Sequence, residues 1–353
     1  FVGIMKRVIL AIDSFKGCLS SLEAEEAAEH GLNERWQGIE VVKVPVTDGG
    51  DGMLEVFLQL SDCERVFVEC HDALMRPIRA SSGVRSDNTI IIETALSCGI
   101  NLINNQELNP LRATTYGVGE LLADALQKGY KKFIIGLGGS ATSDCGLGML
   151  TALKNILGNS WRDKILHNLD VTLASDVSNP LYGEHGAAAV FGPQKGATTE
   201  MVGYLDRRAR TFSRMASVQL GVDHAFDKGA GAAGGLGYAF LQFMNAKIQS
   251  GVDILFETIN FDAIIDKADL IITGEGSADA QTLMGKLPVK VLEYGLPKNI
   301  PVVLIAGRVV DVSSLLSAGF SQVECVTPSD IPFSEAIKPV IAKENIHKTM
   351  FKL

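Results

Sequence analysis

The chain has 353 residues, 46% of them hydrophobic and 21% charged, with a formal net charge of −9. That length exceeds what one hydrophobic core usually serves, so it predicts two domains of α/β type, and the ordinary composition excludes disorder. The acidic balance argues against nucleic acid, whose phosphates need clustered Lys and Arg, and no run of about 18 apolar residues offers a membrane span.

Met5 reads as the natural start, with Phe1 to Ile4 an appended remnant. No charged segment leads into a long apolar run and a cleavage site, so the expected location is cytoplasmic. The six cysteines show no C-x-x-C spacing and are expected to be reduced. Cys145 has no His near it in sequence and reads as small filler rather than a nucleophile.

Residues 6–12 form a continuous apolar run with a basic lead-in, the pattern of a buried parallel strand. It ends at Asp13-Ser14-Phe15-Lys16-Gly17, and Ser20 with Glu23 forms a capping box for a helix that lasts to Gly38. Lys16 therefore sits where ligands of open α/β sheets bind, although a solvated lysine fits the position too. The strand at 40–46 runs into TDGGDG (47–52). There Asp48 and Asp51 are candidates for holding Mg²⁺ or accepting a hydroxyl proton, or else for forming the turn and capping the next helix.

Between 66 and 95, three short strands separated by turn residues predict a β-meander and the start of a second domain. Residues 112–129 predict a helix with Thr114 and Thr115 as caps, or as donors to a ligand. It leads into residues 131–149, KKFIIGLGGSATSDCGLGM, which read as a strand, a glycine loop and a helix start. Gly138, Gly139, Gly146 and Gly148 let the main chain turn and approach a ligand, and Ser140, Thr142 and Ser143 add hydroxyls. Free N–H groups and the helix dipole make this a cradle for an anion, with phosphate the expected one; the plain alternative is a tight turn.

A further strand, 171–176, ends on Asp176. The loop FGPQKG (191–196) carries Lys195 and precedes a long helix in which Met201, Leu205, Phe212 and Met215 form a core stripe. Arg207, Arg208 and Arg210 on that helix read as a solvated face. GAGAAGGLG (229–237) is a formal G-x-G-x-x-G with no strand before it, so the match is accidental to NAD binding. The match at 136–141 follows a strand, but residues 154–162 lack the acid a dehydrogenase would place on the ribose. Strands at 268–272, 301–308 and 322–327 complete a parallel series with the first domain, and the first of them enters TGEGSADAQT (273–282) with Gly285-Lys286 after it.

Strand ends at 13–17, 47–52, 138–146, 192–196 and 273–286 thus carry hydroxyls, carboxylates, glycines and lysines. Phosphoryl transfer needs such a set, because the protein mainly positions two substrates and neutralises phosphate charge. There is no G-x-x-x-x-G-K-[ST], no H-R-D and no D-F-G. DSFKG (13–17), PVTDGGDG (45–52), NPLRATTYGVGEL (109–121), IIGLGGSATSDCGLGML (134–150), SDVSNPLYG (175–183), VFGPQKGA (190–197), GAGAAGGLG (229–237) and TGEGSADAQTLMGK (273–286) resemble the bacterial glycerate kinase family, type I (glycerate 2-kinase). The motifs follow the family's order across nearly the whole chain.

The resemblance implies phosphorylation of D-glycerate by ATP and Mg²⁺, usually to 2-phosphoglycerate. It implies an α/β fold in which a Rossmann/flavodoxin-like parallel-sheet domain, taken as 1–66 with 268–353, receives a second α/β domain, 67–267, with the active site between them. Two departures stand out. Ser277 and Ala278 replace the family's usual Arg and a bulkier residue, and the 158–170 segment is short.

On physical grounds, Gly138, Gly139, Ser140, Thr142 and Asp144 are assigned to the nucleotide, and Lys16, Lys195, Asp48 and Asp176 to catalysis. Asp48, Asp176 and Glu275 are the candidates for Mg²⁺. Ser14, Arg112, Thr115 and Glu275 are assigned to glycerate, with Arg79 and Arg308 the other arginines weighed for its carboxylate. The expected partner is a small molecule, with no nucleic acid or membrane, and a homo-oligomer is left open. A nicotinamide-dependent hydroxy-acid dehydrogenase and a non-catalytic sugar-acid sensor are the alternatives.

Overall fold

The computed structural model describes residues 5–15, 17–47, 49–159, 161–162 and 169–353. The chain divides into two compact units, Phe1–Thr47 with Leu255–Leu353, and Asp48–Ile254, so the second unit is inserted in the sequence of the first. The strands among the described residues are β1 (Arg7–Ile12), β2 (Glu40–Lys43), β3 (Cys63–His71), β4 (Pro77–Arg85), β5 (Thr89–Glu93), β6 (Lys132–Gly136), β7 (Asp170–Ala174), β8 (Lys247–Gln249), β9 (Leu270–Ala278), β10 (Val302–Val309) and β11 (Gln322–Cys325). The helices used below are α1 (Ser21–Arg35), α2 (Met53–Leu60), α3 (Tyr116–Gln127), α4 (Leu147–Leu157), α5 (Thr199–Leu220), α6 (Ala232–Met244) and α7 (Pro339–Lys352).

The first unit is a five-stranded sheet in the order β11-β10-β9-β1-β2, parallel throughout. β1 is an apolar run with its last five residues buried, as a strand covered on both faces must be. The capping box that starts α1 is present: the Ser20 hydroxyl accepts from the Glu23 N–H and the Glu23 carboxylate accepts from the Ser20 N–H. α1 and α7 pack together, burying Leu32, Ile346 and Met350 on the core of β1, β9 and β10.

The second unit is a six-stranded sheet, β3-β4-β5-β6-β7-β8. β3, β4 and β5 pair antiparallel, the expected meander, and β5 through β8 are parallel. Phe133 and Ile135 on β6 are buried between helices, so the strand before the glycine loop is central to this core.

The long helix α5 corrects one expectation. Its buried positions are Leu205, Ala209, Ser213 and Ala216, with Phe212 packed alongside, whereas Met215 is 68% exposed. The buried stripe follows small residues, not the methionines, because a helix lying close to its neighbours needs short side chains there.

Candidate active site

In the second unit the chain leaves β6 at Gly136 and enters α4 at Leu147, and the loop between them is held by two other glycine segments. On one side the Gly138 N–H donates to Gly49 O at 3.1 Å. Gly139 has φ +71°, and a Cβ there would overlap the Asp51 carboxylate, which accepts from Asn101 Nδ2 at 2.8 Å. This carboxylate lies directly on the loop backbone. Behind it, buried Glu93 accepts from the Gly52 and Leu54 N–H groups, both at 2.9 Å, and so fixes the start of α2. Burial raises the pKa of Glu93.

On the other side lies the 229–237 segment, set aside above as unrelated to NAD. Ala233, Gly234 and Gly235 form a left-handed run, and a Cβ at Gly234 would fall on the Thr142 carbonyl oxygen. The Cys145 N–H donates to Gly234 O at 3.1 Å. These glycines allow close backbone approach to the central loop. Cys145 is buried, with burial pushing its thiol up to about 12, which agrees with filler rather than a nucleophile.

Asp144 is buried and its oxygens serve the chain itself. It accepts from the Thr115 N–H at 2.8 Å, from Thr115 Oγ1 at 3.0 Å, and from the Gly146 and Gly148 N–H groups at 3.0 Å each. Thr115 is fully buried and its hydroxyl also accepts from the Met149 N–H at 3.0 Å. Thr115 therefore does not cap α3 with its side chain; it ties α3 to α4 through Asp144.

Lys195, in the turn before α5, is 2% exposed. Its Nζ donates to Thr142 O at 2.6 Å and to Ser140 Oγ at 3.1 Å, and it has no carboxylate partner among the described residues. Burial pushes its pKa down to about 8. Arg208 on α5 is also turned inward: Nη2 donates to Ser143 O at 2.6 Å. The solvated-face reading holds for Arg207 and Arg210, which are exposed, and fails for Arg208 because it lies one turn beyond Leu205 on the buried side. The hydroxyls of Thr142 and Ser143 are buried without partners among the described residues. Neither Gly139, Ser140, Thr142, Ser143 nor Asp144 donates its backbone N–H to an acceptor among them.

In the first unit, the end of β9 carries its own cluster. Glu275, 7% exposed, accepts from Thr282 Oγ1 at 2.5 Å and from Lys286 Nζ at 3.2 Å. Thr282 Oγ1 in turn accepts from the Asp279 N–H at 3.0 Å. Across the strand register Ser277 faces Arg308, and both are exposed. The Ser14 N–H donates to Asp13 Oδ1 at 2.7 Å.

The other expected residues are placed as follows. Lys16, Asp48 and most of the 158–170 segment lie outside the described residues. Asp176 is exposed just after β7, and Arg112 is exposed ahead of α3. Arg79 is exposed on β4, its guanidinium over the Phe67 ring at 4.4 Å. The second unit brings together Gly138, Gly139, Ser140, Thr142, Asp144, Thr115 and Lys195. Sequence reasoning missed Arg208, whose signal was its helical spacing from Leu205, and Lys286, whose signal was its place beside Gly285 in the same motif as Glu275.

Among the described residues no group of three or more His, Cys, Asp or Glu side chains is gathered to hold a metal ion, and no helix is long and apolar enough to cross a membrane. A model of the glycerate kinase family matches residues 8–160 and 154–353. The chain is 37% identical to a glycerate kinase of Bacillus subtilis (strain 168), over 98% of this chain and 99% of that protein. It is 36% identical to the glycerate 2-kinase of Escherichia coli (strain K12), over 86% of each. The crystal structure of a putative glycerate kinase 2 from Salmonella typhimurium LT2 superposes with a TM-score of 0.79 at 34% identity, covering 99% of this chain and 97% of that one.

Proposed function

This chain belongs to the glycerate kinase family, and from that premise we propose that it transfers the γ-phosphoryl group of ATP, with Mg²⁺, to the 2-hydroxyl of D-glycerate. It is an enzyme, a glycerate kinase, that phosphorylates a small-molecule substrate by nucleotide-dependent transfer. The dehydrogenase and the non-catalytic sensor give way to that assignment. The name of the Escherichia coli relative supports the 2-position as acceptor.

The observation that carries the reading is Lys195: a buried ammonium with no carboxylate partner among the described residues, held against a loop in which Gly139, Ser140, Thr142, Ser143 and Asp144 donate their N–H groups to no acceptor among them. A cation kept in an apolar interior is costly unless an anion joins it. A phosphate entering the loop would supply that anion, meeting Lys195, the Ser140 hydroxyl and the N–H groups of Gly139, Ser140 and Thr142. α4 starts at the end of this loop, but its first N–H groups are taken by the Asp144 carboxylate and the Thr115 hydroxyl, so the free donors are those of the loop.

Mg²⁺ needs only one or two carboxylates, with water and phosphate oxygens completing six ligands. Asp51, against Gly139, fits that requirement, and Asp48 and Asp176 complete the acidic set assigned to the ion. Glu275 and Asp144 fit less well, because Thr282, Lys286 and the loop amides already use their oxygens. When bound, Mg²⁺ screens the phosphate charge that Asp51 would otherwise repel.

Phosphoryl transfer through a loose transition state asks little of a base, so the residues' work is to align the glycerate hydroxyl and hold charge. Lys195 and Lys16 would neutralise the transferred group, and Asp176 would orient the hydroxyl. Arg112 or Arg308 is assigned to the carboxylate, and Ser14 to glycerate as well.

ADP release with ATP, Mg²⁺ and D-glycerate, with the product's phosphate position read by phosphorus NMR, tests the reading. 2-Phosphoglycerate is expected. 3-Phosphoglycerate would overturn the regiochemistry, and activity undiminished by removal of divalent ions would overturn the metal assignment.

A further inference from the structure

Lys195 and Arg208 donate to consecutive carbonyl oxygens of one loop, Thr142 O and Ser143 O, each at 2.6 Å. The peptide bonds are trans, and in a planar trans peptide the C=O and the following N–H point in opposite directions. Holding Thr142 O on Lys195 therefore aims the Ser143 N–H the other way. Holding Ser143 O on Arg208 does the same for the Asp144 N–H. Both N–H groups lack acceptors among the described residues.

The guanidinium of Arg208 is half-buried, its Nε has no partner among the described residues, and no carboxylate there pairs with it. A partly desolvated Arg whose one hydrogen bond among the described residues goes to a loop carbonyl contributes little to a core, since the desolvation cost offsets most of the bond. Its effect falls on the orientation of the peptide it holds.

We propose that Arg208 is a positioning residue which, with Lys195, locks the 142–143 and 143–144 peptides so that the N–H groups of Ser143 and Asp144 bind phosphate oxygens of the nucleotide. The proposal rests on the reading of this loop as the phosphate cradle. Released from Arg208, the 143–144 peptide can rotate and turn a carbonyl oxygen toward the phosphate, which repels it.

The test compares Arg208→Met, Arg208→Lys and Gly139→Ala with the wild type. Arg208→Met should raise the KM for ATP at least tenfold while the KM for D-glycerate stays within about twofold, and Arg208→Lys, which keeps a donor, should recover most of the loss. A loss of melting temperature with an unchanged KM for ATP would make Arg208 merely structural and overturn the proposal.

Should Arg208→Met not fold, backbone amide NMR of the wild-type enzyme with a non-hydrolysable ATP analogue and Mg²⁺ decides. The Ser143 and Asp144 signals should shift on binding. Shifts at Gly139 and Ser140 without them would overturn the role of Arg208 and leave the cradle. No shift anywhere in the loop, together with an unchanged KM for ATP in Gly139→Ala, would overturn the cradle itself.

Discussion

The Lys195 ammonium donates to the Thr142 carbonyl oxygen at 2.6 Å in an interior where no carboxylate pairs with it among the described residues. Its pKa, lowered from 10.5 to about 8 by burial, makes two opposite pH trends. If Lys195 holds the transferred phosphate as proposed, transfer needs its charged form, and kcat/KM for ATP should fall as pH rises through about 8. Stability runs the other way. Between about pH 8 and 10.5 the unfolded chain holds the proton that the folded chain has released, so this group's contribution to stability rises with pH. Lys195→Met should abolish that stability trend and lower kcat/KM on the order of 100- to 1,000-fold, about 3–4 kcal/mol of barrier. pH–rate profiles and urea midpoints from pH 7 to 10.5 check both; an alkaline limb unaffected by Lys195→Arg would remove this lysine from the site.

Gly139 combines a left-handed backbone with contact to Asp51, and Gly129, at φ +91° with open space around it, separates the two effects. Gly129→Ala should cost about 1 kcal/mol from backbone strain and leave the KM for ATP unchanged. Gly139→Ala should cost more, because Asp51 must move, and should raise the KM for ATP. Urea unfolding with steady-state kinetics reads both, and equal effects of the two substitutions would show that the Asp51 contact is unimportant.

The places of most strands along the chain, the capping box at Ser20 and the loop at 138–146 were legible because each is written in local sequence: apolar runs, a spaced Ser and Glu, clustered glycines. What sequence could not show was who meets whom across the fold. Thr115 and Asp144, 29 positions apart, share hydrogen bonds, and both looked like ligand contacts when taken alone. Lys195 and Arg208 converge on Thr142 and Ser143 from across more than fifty residues. The 229–237 glycines resembled a nucleotide motif, yet their role is to let two backbones touch. Glycine records a lack of room without naming the neighbour that causes it.

Thr282 Oγ1, fully buried, is the donor that satisfies one oxygen of Glu275. Thr282→Val keeps the shape and leaves that oxygen unpaired, which should cost about 1–3 kcal/mol, whereas Thr282→Ser should cost less than half of that. If Glu275 acts through Lys286, the Val variant should also lower kcat, because Lys286 draws the carboxylate toward itself. Urea midpoints and kcat of the two variants test this, and equal stability of Val and Ser would show the hydrogen bond to be negligible.

Glu25 on α1 is fully buried; Oε1 accepts from the Ile12 N–H at 3.1 Å and Oε2 has no partner among the described residues. Burial raises its pKa well above 4.5, Lys43 opposes the rise, and Glu29, paired to Lys43 at 2.6 Å, adds to it. A carboxyl with a raised folded pKa stabilises fully below about pH 4.5, the unfolded value, and loses that contribution as pH rises through its folded value. Glu25→Gln keeps the acceptor for Ile12 and cannot ionise. The variant should therefore match the wild type near pH 5 and become progressively more stable than it toward pH 8. Urea midpoints of both proteins across that range decide the matter: a difference that stays flat with pH would mean that Glu25 does not carry the strain of ionising inside the first unit.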